Sequence, residues 1–238
     1  MVHYHGTPIT PNAVLLSLSG RNFCVSHARP DQVKLCFEIG QLVMLDNGAF
    51  SHWRKGIDKS NWLDYYLFCD EYLDCPTVWA VIPDTIRGTE KENDDLLDEW
   101  PFPDRGAPVW HLHESFERLD RLIDNYPKVC FGSSGEYASP GSKQWNSRVS
   151  AAFDLISTRL RMPWIHMLRG MKFSGQHYPF SSVDSTDVAR NHSRLGKNAL
   201  LMAHRWDSLQ CPATWNNHLT GGPNDRQANE LHRSQNTQ

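Results

Sequence analysis

The chain has 238 residues, 39% of them hydrophobic and nine of them Trp, with a net charge of -3. Such a composition excludes a disordered chain and fits one large domain, or two small ones, with a substantial core. No apolar run reaches the roughly 18 residues of a membrane span, and Met1 to Gly6 lacks the basic-then-apolar pattern of a secretory signal. A cytoplasmic protein is expected, with Cys24, Cys36, Cys69, Cys75, Cys130 and Cys211 as reduced thiols, since no two stand in CxxC spacing.

The first 22 residues hold Pro8, Pro11 and an apolar run, Ala13 to Leu18, which reads as an entry strand after a loop. An alternation then begins. Phe23 to Ser26 is a short strand. Pro30 to Ile39 is a helix, with Pro in its first turn and Gly40 past its end. Leu42 to Leu45 is a continuous apolar run, as a strand buried on both faces requires. A helix from Asp58 or Ser60 runs to Leu73. Val78 to Ile82 is a strand closed by Pro83-Asp84. Thr89 and Glu92 have capping-box spacing and open a helix to about Trp100.

Pro108 to Leu112 is the next strand. Ser115 opens a helix with Phe116, Leu119, Leu122, Ile123 and Tyr126 on one face. Lys128 to Phe131 is a strand ending in Gly132-Ser133-Ser134-Gly135. Trp145, Val149, Ala152, Phe153, Ile156 and Leu160 form a helical stripe. Trp164 to Leu168 and Phe180 to Val183 are strands, and Asn198 to Ala203 reads as one more. Residues 1–219 form one domain, and residues 220–238 are a polar tail expected to be disordered.

Seven or eight such strand–helix units in about 200 residues predict a parallel sheet with right-handed crossovers, in the form of a compact (βα)8 barrel. A doubly wound open sheet is the alternative, and no G-x-G-x-x-G follows the first strand to support its dinucleotide-binding form.

In a barrel the C-terminal strand ends carry the chemistry. Here those ends are polar: Asp46-Asn47-Gly48-Ala49-Phe50, Pro83-Asp84, His111-Leu112-His113-Glu114, Gly132-Ser133-Ser134-Gly135-Glu136, Arg169-Gly170 and Val183-Asp184-Ser185. Each Asp alone could be a helix cap. Three on one rim would repel one another without a purpose. Two carboxylates on a rim suit displacement at an anomeric carbon, one attacking C1′ and the other handling the proton of the exchanged group.

These motifs resemble, in order and spacing over residues 23 to 192, those of the tRNA-guanine transglycosylase superfamily. Asp46 to Phe50 is similar to its Asp-Ser-Gly-Gly-Phe motif. Gly132 to Glu136 is similar to its Gly-rich base-binding loop, and His166 to Gly170 to its strand ending in Leu-Met-Gly. Val183-Asp184-Ser185 followed by Ala189-Arg190 resembles its nucleophile motif. The short chain, and Pro108 to Glu114 in place of Val-Gln-Gly-Gly, look most like the DNA-modifying branch of phages and mobile elements, which inserts 7-deazaguanines into DNA.

The resemblance implies Asp184 as the nucleophile and Asp46 as general acid/base. It implies Asp84 as acceptor for the guanine N1 and N2 hydrogens. His113, or else His111, would stand for the family's base-binding Gln, with Gly132, Ser133 and Gly170 contributing to the base site and Phe50 or Met167 stacking on the ring. The plainer alternatives are a packed strand residue for His111, core for Met167 and a helix-surface residue for Asp187. A host-cytoplasm location follows if the gene is phage-borne, and a homodimer is a further expectation. The family's zinc-binding Cys run is missing. His204, Cys211 and His218 offer one thiolate and two imidazoles at unusual spacing, so no metal or other cofactor is expected.

Charge is unevenly spread. Residues 58–104 carry 13 acids against three bases, whereas residues 143–206 carry ten bases against three acids. The basic half could hold DNA phosphates through Arg159, Arg161, Arg169, Lys172, Arg190, Arg194 and Lys197, or be an ordinary solvated surface. Trp145, Trp164 and Trp206 are candidate platforms for unstacked bases, or core. The expected function is exchange of guanine in DNA for a 7-deazaguanine such as the 7-cyano form. The alternatives are base exchange on tRNA or nucleosides and a catalytically silent nucleic-acid-binding barrel.

Overall fold

A computed structural model describes residues 1–57 and 61–216. Nine parallel strands run in the order β5-β4-β3-β2-β1-β9-β8-β7-β6 and form a nearly closed barrel. They are β1 (Val2–Gly6), β2 (Asn22–Ser26), β3 (Val43–Asp46), β4 (Val78–Val81), β5 (Gly106–Ala107), β6 (Val109–His111), β7 (Lys128–Gly132), β8 (Trp164–Met167) and β9 (Ser182–Ser185). β5 pairs with β4 and β6 pairs with β7. Only Pro108 separates those two short strands, so they act as one strand that brings the sheet's edges together. Proline lacks the ladder N–H, yet its carbonyl still accepts from Cys130 at 2.8 Å. Counted that way, eight strands surround the lumen, as the alternation of elements predicts.

Helices α1 (Asn12–Leu16), α2 (Val33–Ile39), α3 (Ala49–Arg54), α4 (Leu63–Asp70), α5 (Glu90–Asp98), α6 (Phe116–Asn125), α7 (Lys143–Ser157), α8 (Asp187–Asn191) and α9 (Ala199–Asp207) follow the strands. Local chemistry starts several of them. Thr89 and Glu92 form the expected capping box on α5. Ser115 caps α6 and Ser142 caps α7 by accepting a backbone N–H three residues on.

Strand side chains alternate between two apolar environments. Outward residues such as Val43, Leu45 and Ala80 pack on Cys36, Tyr65 and Cys69 of α2 and α4. Phe131, Ile165 and Val183 pack on Leu119, Val149 and Phe153 of α6 and α7. Tyr4, Cys24, Met44, Trp79, Val109 and Cys130 fill the lumen. All six cysteines are free thiols. No helix among the described residues is long and apolar enough to cross a membrane.

Several sequence expectations require correction. The entry strand is β1, not Ala13 to Leu18, which is helix α1 and its flank. The sequence Val-His-Tyr-His-Gly hides a strand because both its histidines are buried, each with a polar partner: His3 Nε2 meets Ser174 Oγ and His5 Nε2 meets Asp207 Oδ1, both at 3.0 Å. Asn198 to Ala203 is helical, because the Asn198 side chain caps α9 by accepting from the Leu201 N–H. Leu160 lies beyond the end of α7 and is exposed, so it leaves the apolar stripe. The expected helix start at Asp58 or Ser60, the tail 220–238 and His218 lie outside the described residues.

Candidate active site

The C-terminal strand ends open into a cavity of about 960 Å³. Asp46, Asp84, Asp184, His111, Gly132 and Ser133 line it, together with Phe50, Leu168, Arg169 and Arg190. Their convergence follows from strand register. Ser26 pairs with Asp46, His111 with Gly132, and Tyr4 with Asp184, so these side chains lie on the lumen face.

Asp184 is buried near the end of β9. It is not a helix cap: Thr186 precedes α8. Its Oδ1 accepts the Arg169 N–H at 2.6 Å and lies 3.3 Å from His166 Nε2. Burial lowers the His166 pKa against the pull of Asp184, and the other ring nitrogen meets Ser182 Oγ at 2.8 Å. Among the described residues Asp184 Oδ2 has no hydrogen-bond partner, so one carboxylate oxygen is fixed while the other remains available to the cavity. Arg169 adopts the left-handed region with φ 55°. That conformation is costly for a residue with a Cβ and recurs where geometry is functional. Here it turns the backbone N–H onto Asp184.

Asp46 ends β3, and its Oδ2 accepts the Gly48 N–H at 3.2 Å. Gly48 has φ +78°, and an added Cβ would lie 3.1 Å from Ala28, so the tight turn into α3 requires glycine. Burial raises the Asp46 pKa to about 6, with the charges of Asp184 and Asp84 acting in the same direction. Asp84 accepts from the Asn47 amide at 2.7 Å through Oδ1, and its Oδ2 lies 2.9 Å from His111 Nε2. Gly132 makes room for that imidazole, since a Cβ there would lie 2.9 Å from His111 Nδ1. The Ser133 hydroxyl accepts from the Trp145 indole at 2.9 Å, which ties the cavity wall to α7.

A buried ion network supports the Asp84–His111 pair. Glu114 accepts the His111 backbone N–H at 2.8 Å, the Asn93 amide at 2.8 Å and the Arg118 guanidinium at 2.7 Å. Asn93 in turn accepts the Thr85 N–H at 2.8 Å, next to Asp84. Glu114 thereby connects two strand ends that lie 27 residues apart at Asp84 and His111.

The other expected site residues lie elsewhere. Met167 is fully buried in the outer layer, because it pairs with Val183 while its neighbours His166 and Leu168 face inward. Gly170 packs against Met167 and does not line the cavity. His113 is exposed beyond the wall, its Nδ1 2.7 Å from Ser134 Oγ, so His111 takes the inward position. Lys172 donates to the Pro140 carbonyl at 2.6 Å. Arg194 and Lys197 lie in the exposed turn between α8 and α9, outside the cavity lining.

Arg159 pairs with Asp120 and Asp124, and exposed Arg161 also lies outside the lining. Trp145 is buried core stacked on Phe173 at 4.3 Å, and Trp206 is half-buried and donates to Asp187 at 2.9 Å. Trp164 stands at the opposite end of the barrel, at the start of β8.

Sequence reading missed Arg29, Arg54 and Lys55, which join Arg169 and Arg190 in the cavity lining. Two of them follow Phe50 closely, and that proximity to a motif was the available signal. The charge pattern is thus layered, with carboxylates at the strand ends and cations on the surrounding loops and short helices. Of the three candidate zinc donors, His204 is exposed on α9 and Cys211 Sγ lies 3.5 Å from the Phe173 carbonyl, while His218 lies outside the described residues. Among the described residues no group of three or more His, Cys, Asp or Glu could hold a metal ion.

Comparison with known proteins finds no match to this chain among family models, curated proteins or solved structures.

Proposed function

We propose that the chain is a guanine transglycosylase acting on DNA, exchanging guanine for a 7-deazaguanine such as the 7-cyano form. The observation that carries this reading is the pairing of unlike carboxyls in one cavity. Asp184 has one oxygen held and one free, while Asp46 has its pKa raised to about 6. A carboxyl with one oxygen turned to the cavity, beside a second carboxyl that readily takes up a proton, suits nucleophile and acid in glycosyl exchange.

In the first half-reaction Asp184 Oδ2 forms a bond to C1′ as the C1′–N9 bond breaks. The departing electron pair goes to guanine, and Asp46 supplies the proton that neutralises it. In the second half-reaction the incoming base loses its N9 proton to Asp46, its nitrogen bonds to C1′, and Asp184 leaves with the electrons of the ester bond. Asp84, oriented by Asn47 and His111, accepts hydrogen bonds from the N1 and N2 edge of the base. Arg29, Arg54, Lys55, Arg169 and Arg190 meet the phosphates, and the target base leaves its stack to reach the carboxylates.

The test is incubation with DNA and 7-cyano-7-deazaguanine, followed by digestion to nucleosides and mass spectrometry. The expected result is the deazaguanine deoxynucleoside, absent with Asp184→Ala. Product from tRNA alone would overturn DNA as the acceptor. Full activity in Asp184→Ala would overturn the mechanism.

A further inference from the structure

Beside the cavity, four planar groups stand in succession. The Arg169 guanidinium lies 3.8 Å from the Phe50 ring centroid. Phe50 and Trp53 are 5.6 Å apart with their planes inclined by 34°. The Arg87 guanidinium lies 5.1 Å from the Trp53 ring. The succession starts at the residue whose N–H holds Asp184 and ends outside the cavity lining. Phe50 and Trp53 are three residues apart on α3, which places them on one helix face. Trp53 is 39% exposed, an unusual position for the largest apolar side chain, and Ile57 just beyond is 50% exposed.

Charge identifies what such a surface fits. Arg54 and Lys55 are exposed beside Trp53 and line the cavity mouth. Among the described residues neither they nor Arg87 has a carboxylate within ion-pair distance. An exposed indole flanked by three cations matches a chain of flat rings joined by phosphates. A neutral apolar partner would leave those cations desolvated.

We propose that Trp53, supported by Phe50 and Arg87, is a stacking platform for the nucleotide adjoining the one held in the cavity, so that this surface binds a single-stranded nucleic-acid segment. The proposal rests on the reading of the cavity as a nucleotide site. The flanking base lies on the indole, and Arg54 and Lys55 take the phosphates on either side of it.

The test is fluorescence anisotropy of a labelled oligo(dT) of about 12 nucleotides with the full chain across a salt series. Trp53→Ala is expected to weaken binding about tenfold, within the range found for one base–aromatic stack, and to leave the salt slope unchanged. Trp53→Phe is expected to retain most of the affinity, which separates stacking from misfolding. Arg54→Ala with Lys55→Ala is expected to flatten the slope by about 1.4, at roughly 0.7 per phosphate on a single strand. Equal affinity for the wild type and Trp53→Ala overturns the proposal, as does failure of the wild type to bind. Trp53-dependent binding without base exchange would overturn the transglycosylase reading and leave the platform standing. Exchange with no Trp53 dependence would do the reverse.

Discussion

The two ends of the barrel lumen both hold ionisable groups that burial disfavours, and they treat them differently. At the C-terminal end Asp46, Asp84 and Asp184 each receive dedicated hydrogen bonds and border a large cavity. At the N-terminal end Lys128 lies 4.0 Å from the Trp79 ring and 5.0 Å from the Trp164 ring. Among the described residues it has no carboxylate within ion-pair distance. Burial lowers its pKa to about 8. One end orients its charges toward an opening, and the other covers its charge with aromatic faces. This is the division of labour expected of such barrels, with chemistry at one end and stability at the other.

Substitutions at the two ends should therefore separate activity from stability. The largest effect is expected at Asp184. Asp184→Asn should lower base exchange by about 10⁴-fold, as loss of a covalent nucleophile does, while the chain still unfolds cooperatively in urea. Activity within tenfold of wild type would erase the distinction between the ends.

Next comes the support beneath Asp84 and His111. Arg118 and Glu114 are almost fully buried, so removing one partner strands the other's charge. Arg118→Met should cost about 3–5 kcal/mol, read as a lower urea midpoint. Glu114→Gln should also weaken substrate binding by misplacing His111. A cost below about 1 kcal/mol for Arg118→Met would mean that the network is not holding the site.

The pH dependence is a finer probe. Asp46 has a folded pKa of about 6 against 3.8 in the unfolded chain, so the folded state binds more protons between those values. Stability should fall as pH rises through that window, and Asp46→Asn should stabilise the protein at pH 7 by on the order of 1 kcal/mol. The exchange rate should show a limb near pH 6 that Asp46→Asn abolishes. A titration of rate and urea midpoint on both proteins would check this, and an unchanged limb would assign it to another group.

The smallest effect belongs to Lys128. Its folded pKa of about 8 lies below the ordinary lysine value of 10.5, so the unfolded state binds more protons between them. Stability should rise as pH increases through that interval. Lys128→Met should change stability by less than about 1 kcal/mol at pH 7, because relief from burying the charge offsets the lost cation–π contacts. Base exchange should be unaffected. A large loss of activity would bring the N-terminal end into the chemistry.

The three rim carboxylates were legible in the sequence because each directly follows or closes an apolar strand. The capping box at Thr89 and the Ser115 cap were legible for the same local reason. β1 was not, since its polar residues are buried by partners 171 and 202 residues away. Met167 takes its core alternative and not the stacking one, because inward and outward positions alternate and a one-residue error in phase reverses the face. His113 was preferred over His111 for the same want of register. The Arg169–Phe50–Trp53–Arg87 succession joins helix α3 to two turns distant in sequence, and no local pattern announces it.

The most direct test of the account is a search for the covalent intermediate. The protein is incubated with a guanine-containing DNA oligonucleotide, quenched by denaturation, and digested for peptide mass spectrometry. The account predicts an oligonucleotide lacking one guanine, esterified to the peptide that contains Asp184, and no adduct with Asp184→Asn. Base exchange without any adduct, or an adduct on Asp187 or Asp46 instead, would contradict it.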